Sequence, residues 1–134
     1  MAGTEFRTGL EAPGTVSIWA GRVRDEDELL DHVSMGYGDE GGSASRFQLD
    51  TGIGWYDEDF AEGSVSDDPV RTLAEHSYGP TFAGRAGLDL ADRPGVNALY
   101  LVYGCDAAPL RDRPGLLTLL GTYPYDPAPG AGGE

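Results

Sequence analysis

The sequence predicts an α+β domain, a small and mostly antiparallel sheet of three to four strands covered by helices. Three observations carry that prediction. Residues 15–20 alternate in hydrophobicity, and residues 96–105 and 116–123 form dense apolar runs, all patterned as strands. Helix boundary signals stand between them: Asp25 with Glu28 three residues on, Gly52 after a short apolar turn, and Asp68 followed by Pro69. The long span from the first strand to the last two lacks a strand pattern of its own, which argues against an alternating, doubly wound sheet.

The 134 residues suffice for one domain whose core needs no covalent staples. Residues 1–13 are expected to be a flexible N-terminus, 14–125 the domain, and 126–134 a disordered tail whose Pro and Gly bury almost nothing. In the first strand Val16, Ile18 and Ala20 share one face and Ser17 and Trp19 the other. Asp25 is the expected N-cap of a helix, with Glu28 completing a capping box and acids in the first turn, where the helix dipole favours them. Leu29, Leu30 and Val33 are its expected buried stripe. Residues 36–43 read as a Gly-rich loop, and a helical turn over 45–51 buries Phe47 before Gly52 stops it.

Asp68-Pro69 opens another helix, with Val70, Leu73, Ala74 and Ser77 at helical spacing and Gly79-Pro80 ending it. Phe82, Ala86 and Leu90 mark a further helix over 81–91. Residues 96–105 are apolar on both faces, as a central strand is. They are expected to pair with 116–123 as an antiparallel hairpin through a longer loop at Pro114-Gly115.

Charge is the dominant compositional feature. There are 23 acids against 9 bases, a net charge of −14, and every base is Arg. Residues 25–68 hold fourteen of the acids and one base, Arg46. Such a surface repels nucleic acid, which must have its phosphates neutralised to bind, and it speeds capture of basic proteins. The densest part is Gly52-Ile53-Gly54-Trp55-Tyr56-Asp57-Glu58-Asp59-Phe60, three acids between aromatic rings. Rings anchor interfaces and charges steer encounter, so Asp57, Glu58 and Asp59 form the candidate centre of a partner-binding surface. Trp55 or Tyr56 would be its anchor, with Asp39 and Glu40 contributing from the Gly-rich loop.

Catalytic and metal motifs are missing. Gly36-Tyr37-Gly38-Asp39-Glu40-Gly41 has the G-x-G-x-x-G spacing, but it follows a helix and its acids would repel a pyrophosphate. His32 and His76 have no metal-ligand spacing with each other or with Cys105. Asp50, Asp57 and Asp59 do not follow the calcium-loop pattern. No metal or cofactor is expected, and no enzymatic activity. The lone Cys105, in an apolar run, fits a reduced and buried thiol. With no signal-like N-terminus and no spanning run of apolar residues, the expected location is the cytoplasm, away from membranes.

The order of elements also carries a resemblance. Val16-Ser17-Ile18-Trp19-Ala20-Gly21 leads into Asp27-Glu28-Leu29-Leu30, then Arg46-Phe47, Asp50, Gly52-Ile53 and Tyr56-Asp57-Glu58-Asp59-Phe60. The chain closes with Ala98-Leu99-Tyr100-Leu101-Val102-Tyr103 and Leu119-Leu120-Gly121-Thr122-Tyr123. From about residue 15 to 125 it resembles the immunity protein 22 family of bacterial polymorphic-toxin systems. The resemblance implies an α+β immunity protein that binds a cognate toxin domain and does no chemistry of its own. A basic nuclease is the toxin that best matches the charge; a peptidase or a deaminase is the alternative. The competing classes are a small hydrolase-like enzyme, using His32 or His76 with carboxylates, and a cation-binding or scaffold module.

Overall fold

The computed structural model describes residues 10–34, 45–54, 56, 60–76, 79–108, 110 and 115–125. In chain order they form β1 (Glu11–Gly21), α1 (Glu26–Val33), α2 (Arg46–Thr51), β2 (Ala61–Val65), α3 (Pro69–Leu73), a 3-10 turn (Gly79–Thr81), α4 (Ala83–Ala91), β3 (Ala98–Cys105) and β4 (Leu117–Pro124). The four strands make one antiparallel sheet in the order β2-β3-β1-β4. The α+β class is therefore as expected.

The alternation in β1 divides the molecule. Val16, Ile18 and Ala20 join Leu99, Leu101 and Tyr103 in a core closed by Leu73 of α3 and by Phe82, Ala86 and Leu90 around α4. Trp19 faces the other way, with Tyr100, Val102 and Leu117, into a core closed by Leu29 and Val33 of α1, Phe47 of α2, and Ile53 and Tyr56. The sheet is thus the middle layer of three. Ser17 is the one polar side chain inside β1, fully buried, and it is satisfied twice. Its hydroxyl donates to the Cys105 carbonyl at 2.8 Å and accepts from the Ala107 amide at 2.9 Å.

The helix ends follow their capping residues. Asp25 accepts from the Glu28 amide, while the Glu28 carboxylate reaches the Arg24 amide, one residue earlier than in a strict capping box. Ser45 and Gln48 form a complete box, and Gly52 closes α2 in the left-handed region at φ 80°. Asp68 caps α3 with Pro69 inside its first turn.

Several expectations need correction. β3 and β4 do not pair with each other; β1 lies between them and bonds to both. β3 is an inner strand as well, bonded to β2 on its other side, so β1 and β3 share the doubly covered middle of the sheet. β1 also starts at Glu11, four residues early, so residues 11–13 belong to the sheet and not to a loose terminus. β2 was not expected at all. Ala61-Glu62-Gly63-Ser64-Val65 has little intrinsic strand preference, and its pairing with β3 overrides that weakness.

Leu30 is 52% exposed, and His32 takes its place in the buried stripe of α1. Leu30 and His32 flank the Leu29–Val33 stripe on opposite sides at similar helical angles, and it is the His32 side that Phe47 of α2 covers. Val70 and Ala74 are exposed because α3 stops at Leu73. Ser77 and the 36–43 loop, with its six-residue glycine pattern, lie outside the described residues.

β4 is tied down at a register shift opposite Ile18 and Trp19. The Arg93 guanidinium donates to Thr118 Oγ1 and to the Leu119 carbonyl, covering the irregularity. The Tyr123 ring lies across Gly121, where a Cβ would come 2.7 Å from the phenol oxygen. That hydroxyl donates to Asp89 of α4 at 2.6 Å.

Leu101 has no exposed surface, and its cross-strand partner on β2 is Glu62, which would repel an introduced carboxylate. Leu101→Asp should abolish the cooperative thermal transition, since an unpaired buried charge costs several kcal/mol against a total stability of about 5–15. Circular dichroism melting checks this; an unchanged midpoint would contradict the placement of β3.

Candidate functional site

The described acids that lie closest together in the first half of the chain are those of α1 and its cap. α1 turns Asp25, Glu26, Asp27 and Asp31 to solvent. Arg24 pairs with Glu28 at 3.5 Å, an exposed i,i+4 contact worth a few tenths of a kcal/mol. Glu26, Asp27 and Asp31 have no ion pair among the described residues.

Of the candidate binding residues, Trp55, Asp57, Glu58, Asp59, Asp39 and Glu40 lie outside the described residues. Tyr56 is described, and it corrects the expectation that it could serve as a surface anchor. It is 5% exposed, its hydroxyl is 2.9 Å from that of Tyr100, and its ring meets Phe47 edge-on at 6.0 Å. A ring beside two other rings gains more from burial and edge-to-face packing than from solvent. Phe60, the residue after the three acids, packs on Tyr103 at 5.2 Å and on Tyr125 at 6.4 Å. Both neighbours of the Asp57-Glu58-Asp59 run are therefore fixed to the core. A groove of about 240 Å³ runs past them, lined by Ile53, Tyr56, Phe60, Tyr103 and Cys105, with Glu11 on its wall.

Phe47 organises this layer. It takes Trp19 edge-on at 4.8 Å, Tyr100 at 5.1 Å, Tyr56 at 6.0 Å and His32 at 6.3 Å. His32 is 6% exposed and its Nε2 is buried without a hydrogen bond; Asp50 Oδ2 stands 3.6 Å away. Burial pushes the imidazole pKa below its ordinary 6.5, helped by the Arg46 charge and opposed by Asp50 and Glu28. Burial also lifts the Cys105 thiol to about 11, so it is protonated at neutral pH and a poor nucleophile.

His76 sits on the other face of the sheet, in a polar chain that sequence spacing did not reveal. Its Nε2 is 3.0 Å from Ser64 Oγ and its Nδ1 is 3.0 Å from Glu62 Oε1, which also accepts from the Tyr103 hydroxyl at 2.7 Å. Glu62 and Ser64 are two apart on β2 and so share a face, and the histidine that follows α3 bridges them. The only clue in the sequence was the E-x-S alternation, hidden because β2 itself was not apparent. Among the described residues no group of three or more His, Cys, Asp or Glu side chains is placed to hold a metal. No helix there is long and apolar enough to cross a membrane.

A family model described as Immunity protein 22 matches residues 16–126. The chain belongs to that family. No curated protein and no solved structure matches it. Membership in the Immunity protein 22 family supports an immunity function against a toxin, implies a protein partner, and suggests inhibition without catalysis.

The Ser64–His76–Glu62 order is nonetheless that of an acyl-transfer relay. Such a relay needs a substrate cleft and oxyanion donors beside the serine. Neither the groove at Tyr56 and Phe60 nor the one between α1 and β2 is lined, among the described residues, by Ser64 or His76. The chain instead joins the edge strand β2 to the end of α3 and to Tyr103 of β3. A fluorophosphonate probe should leave Ser64 unlabelled by intact-protein mass spectrometry; one probe adduct, lost in Ser64→Ala, would make the protein a hydrolase.

His32 sets a pH dependence. The folded state favours neutral imidazole, whereas the unfolded chain takes up a proton near pH 6.5. The stabilisation is complete above that pH and declines as pH falls below it. Thermal melts from pH 7.5 to 5.5 should show a falling midpoint, and His32→Gln should flatten the slope across that interval. Parallel slopes would show that His32 binds its proton equally well in the folded and the unfolded chain.

Proposed function

We propose that this protein neutralises a bacterial toxin domain by binding it through the acidic face that α1, the 55–60 segment and the 36–43 loop contribute, without catalysis. The observation that carries this is charge segregation in a member of an immunity family. Fourteen acids and one base fall within residues 25–68, and α1 leaves its share of them exposed and largely unpaired. A basic nuclease is the toxin class that this potential suits best, since such enzymes carry positive grooves for phosphates. An acidic protein filling that groove gains encounter rate and electrostatic fit together. The protein acts in the cytoplasm and has no use for nucleic acid, membrane or cofactor.

In this account Asp57, Glu58 and Asp59 steer, Asp39 and Glu40 add to the field, and Trp55 supplies the desolvated anchor. Tyr56 acts from inside, fixing one end of the segment through Phe47 and Tyr100.

The test is association kinetics with the toxin domain that the chain protects against in co-expression. Changing Asp57 to Asn, Glu58 to Gln and Asp59 to Asn together should slow association by about tenfold at low salt. It should also flatten the salt dependence while leaving the melting midpoint unchanged. Equal rates and equal salt slopes would mean that the cluster is only a solvated face.

A further inference from the structure

Resting on the toxin-binding function proposed above, we infer that the groove between α1 and β2 is the socket for an arginine side chain of the toxin. The groove is open, about 430 Å³ in volume, and walled by Leu29, Leu30, Val33, Ala61 and the Tyr100 ring, with Glu26 as the one carboxylate in its lining among the described residues. That volume lies at the low end of the roughly 300–1,000 Å³ of ligand pockets, enough for one or two side chains.

Three local features set its chemistry. Leu30 holds its side chain at the groove while 52% exposed, an apolar surface placed among acids. Gly63 leaves the floor bare. A Cβ there would stand 3.2 Å from Leu29 Cδ2 and 3.4 Å from Tyr100 Cδ1, so any larger residue would crowd the groove from below. Glu26 is exposed and has no ion pair among the described residues, and the exposed Asp27 and Asp31 deepen the negative potential around it.

An occupant must therefore combine an apolar stem with a cationic head. Arginine fits better than lysine. Its methylenes lie along leucine, alanine and tyrosine walls, and its weakly hydrated, planar guanidinium can fork onto the Glu26 carboxylate. An acidic side chain would be repelled, and a purely apolar one would bury the carboxylate without a partner. β2 is an edge strand of the sheet and Gly63 is exposed on it, so the partner's backbone can come close enough to insert the side chain.

The experiment measures equilibrium affinity for the neutralised toxin domain. Leu30→Arg and Glu26→Gln alter exposed side chains and should leave the melting midpoint in place. Leu88→Arg, on α4 across the sheet and 73% exposed, is the control. Leu30→Arg and Glu26→Gln should each weaken binding by about tenfold or more, with Leu88→Arg neutral. One toxin Arg→Ala change should weaken binding by a similar factor and add nothing further to Glu26→Gln in a double-mutant cycle. Unaltered chain that fails to bind the toxin would overturn the toxin-binding function itself. Tight binding retained by both groove variants, or additivity with every toxin arginine, would overturn the groove alone.

Discussion

Everything in this domain follows from the need to bury β1 and β3 on both faces. Val16, Ile18, Leu99 and Leu101 point to one side, and Trp19, Tyr100 and Val102 to the other, all nearly inaccessible to solvent. A sheet whose two inner strands are apolar on both sides cannot leave either face wet. The short helices are recruited as lids, α3 and α4 on one face and α1 and α2 on the other. The poorer strands, β2 and β4, are left at the edges. Because none of the lids is long enough to be stable alone, each is held by a few buried side chains, and α1, α2 and α3 by a side-chain cap as well. Phe47 is the clearest case. Its six-residue helix persists because one ring fills the space between Trp19, Tyr56, Tyr100 and His32.

The two lids carry different surfaces. The α1–α2 side bears the exposed acids of α1, the groove at Leu30 and Gly63, and the buried Tyr56, while Phe60 packs on Tyr103 and Tyr125 of the other core. The α3–α4 side carries the Ser64–His76–Glu62–Tyr103 chain, which joins an edge strand to its lid. A rigid frame under a charged face suits an inhibitor.

Much of this was legible in the sequence, for identifiable reasons. The alternation of residues 16–20 and the two-faced run of β3 are strong because burial dictates every position in them. Asp25 and Asp68 announced helix starts because a cap is a local interaction. Pairing was less accessible. Nothing local says that β1 separates β3 from β4, since that choice is made by the whole sheet. β2 was silent because Glu62, Gly63 and Ser64 are there for what they touch, namely His76, Tyr103 and the α1 groove, and not for strand preference. Leu30 and His32 were exchanged because they flank the Leu29–Val33 stripe on opposite sides, and only the packing of α2 decides which side is covered. Tyr56 showed the general difficulty with an aromatic among acids, because sequence gives its neighbours along the chain and not Phe47 and Tyr100 beside it in space.

The central claim is that one face of a two-lidded sheet meets the partner while the frame stays as it is. Hydrogen exchange by mass spectrometry, with and without bound toxin domain, tests it most directly. Added protection should fall on α1, β2 and the 55–60 segment. The amides of β1 and β3 should be the slowest in the free protein and remain so, and α3 and α4 should not change. Protection concentrated on α3 and α4, or a slow core displaced from β1 and β3, would contradict the account.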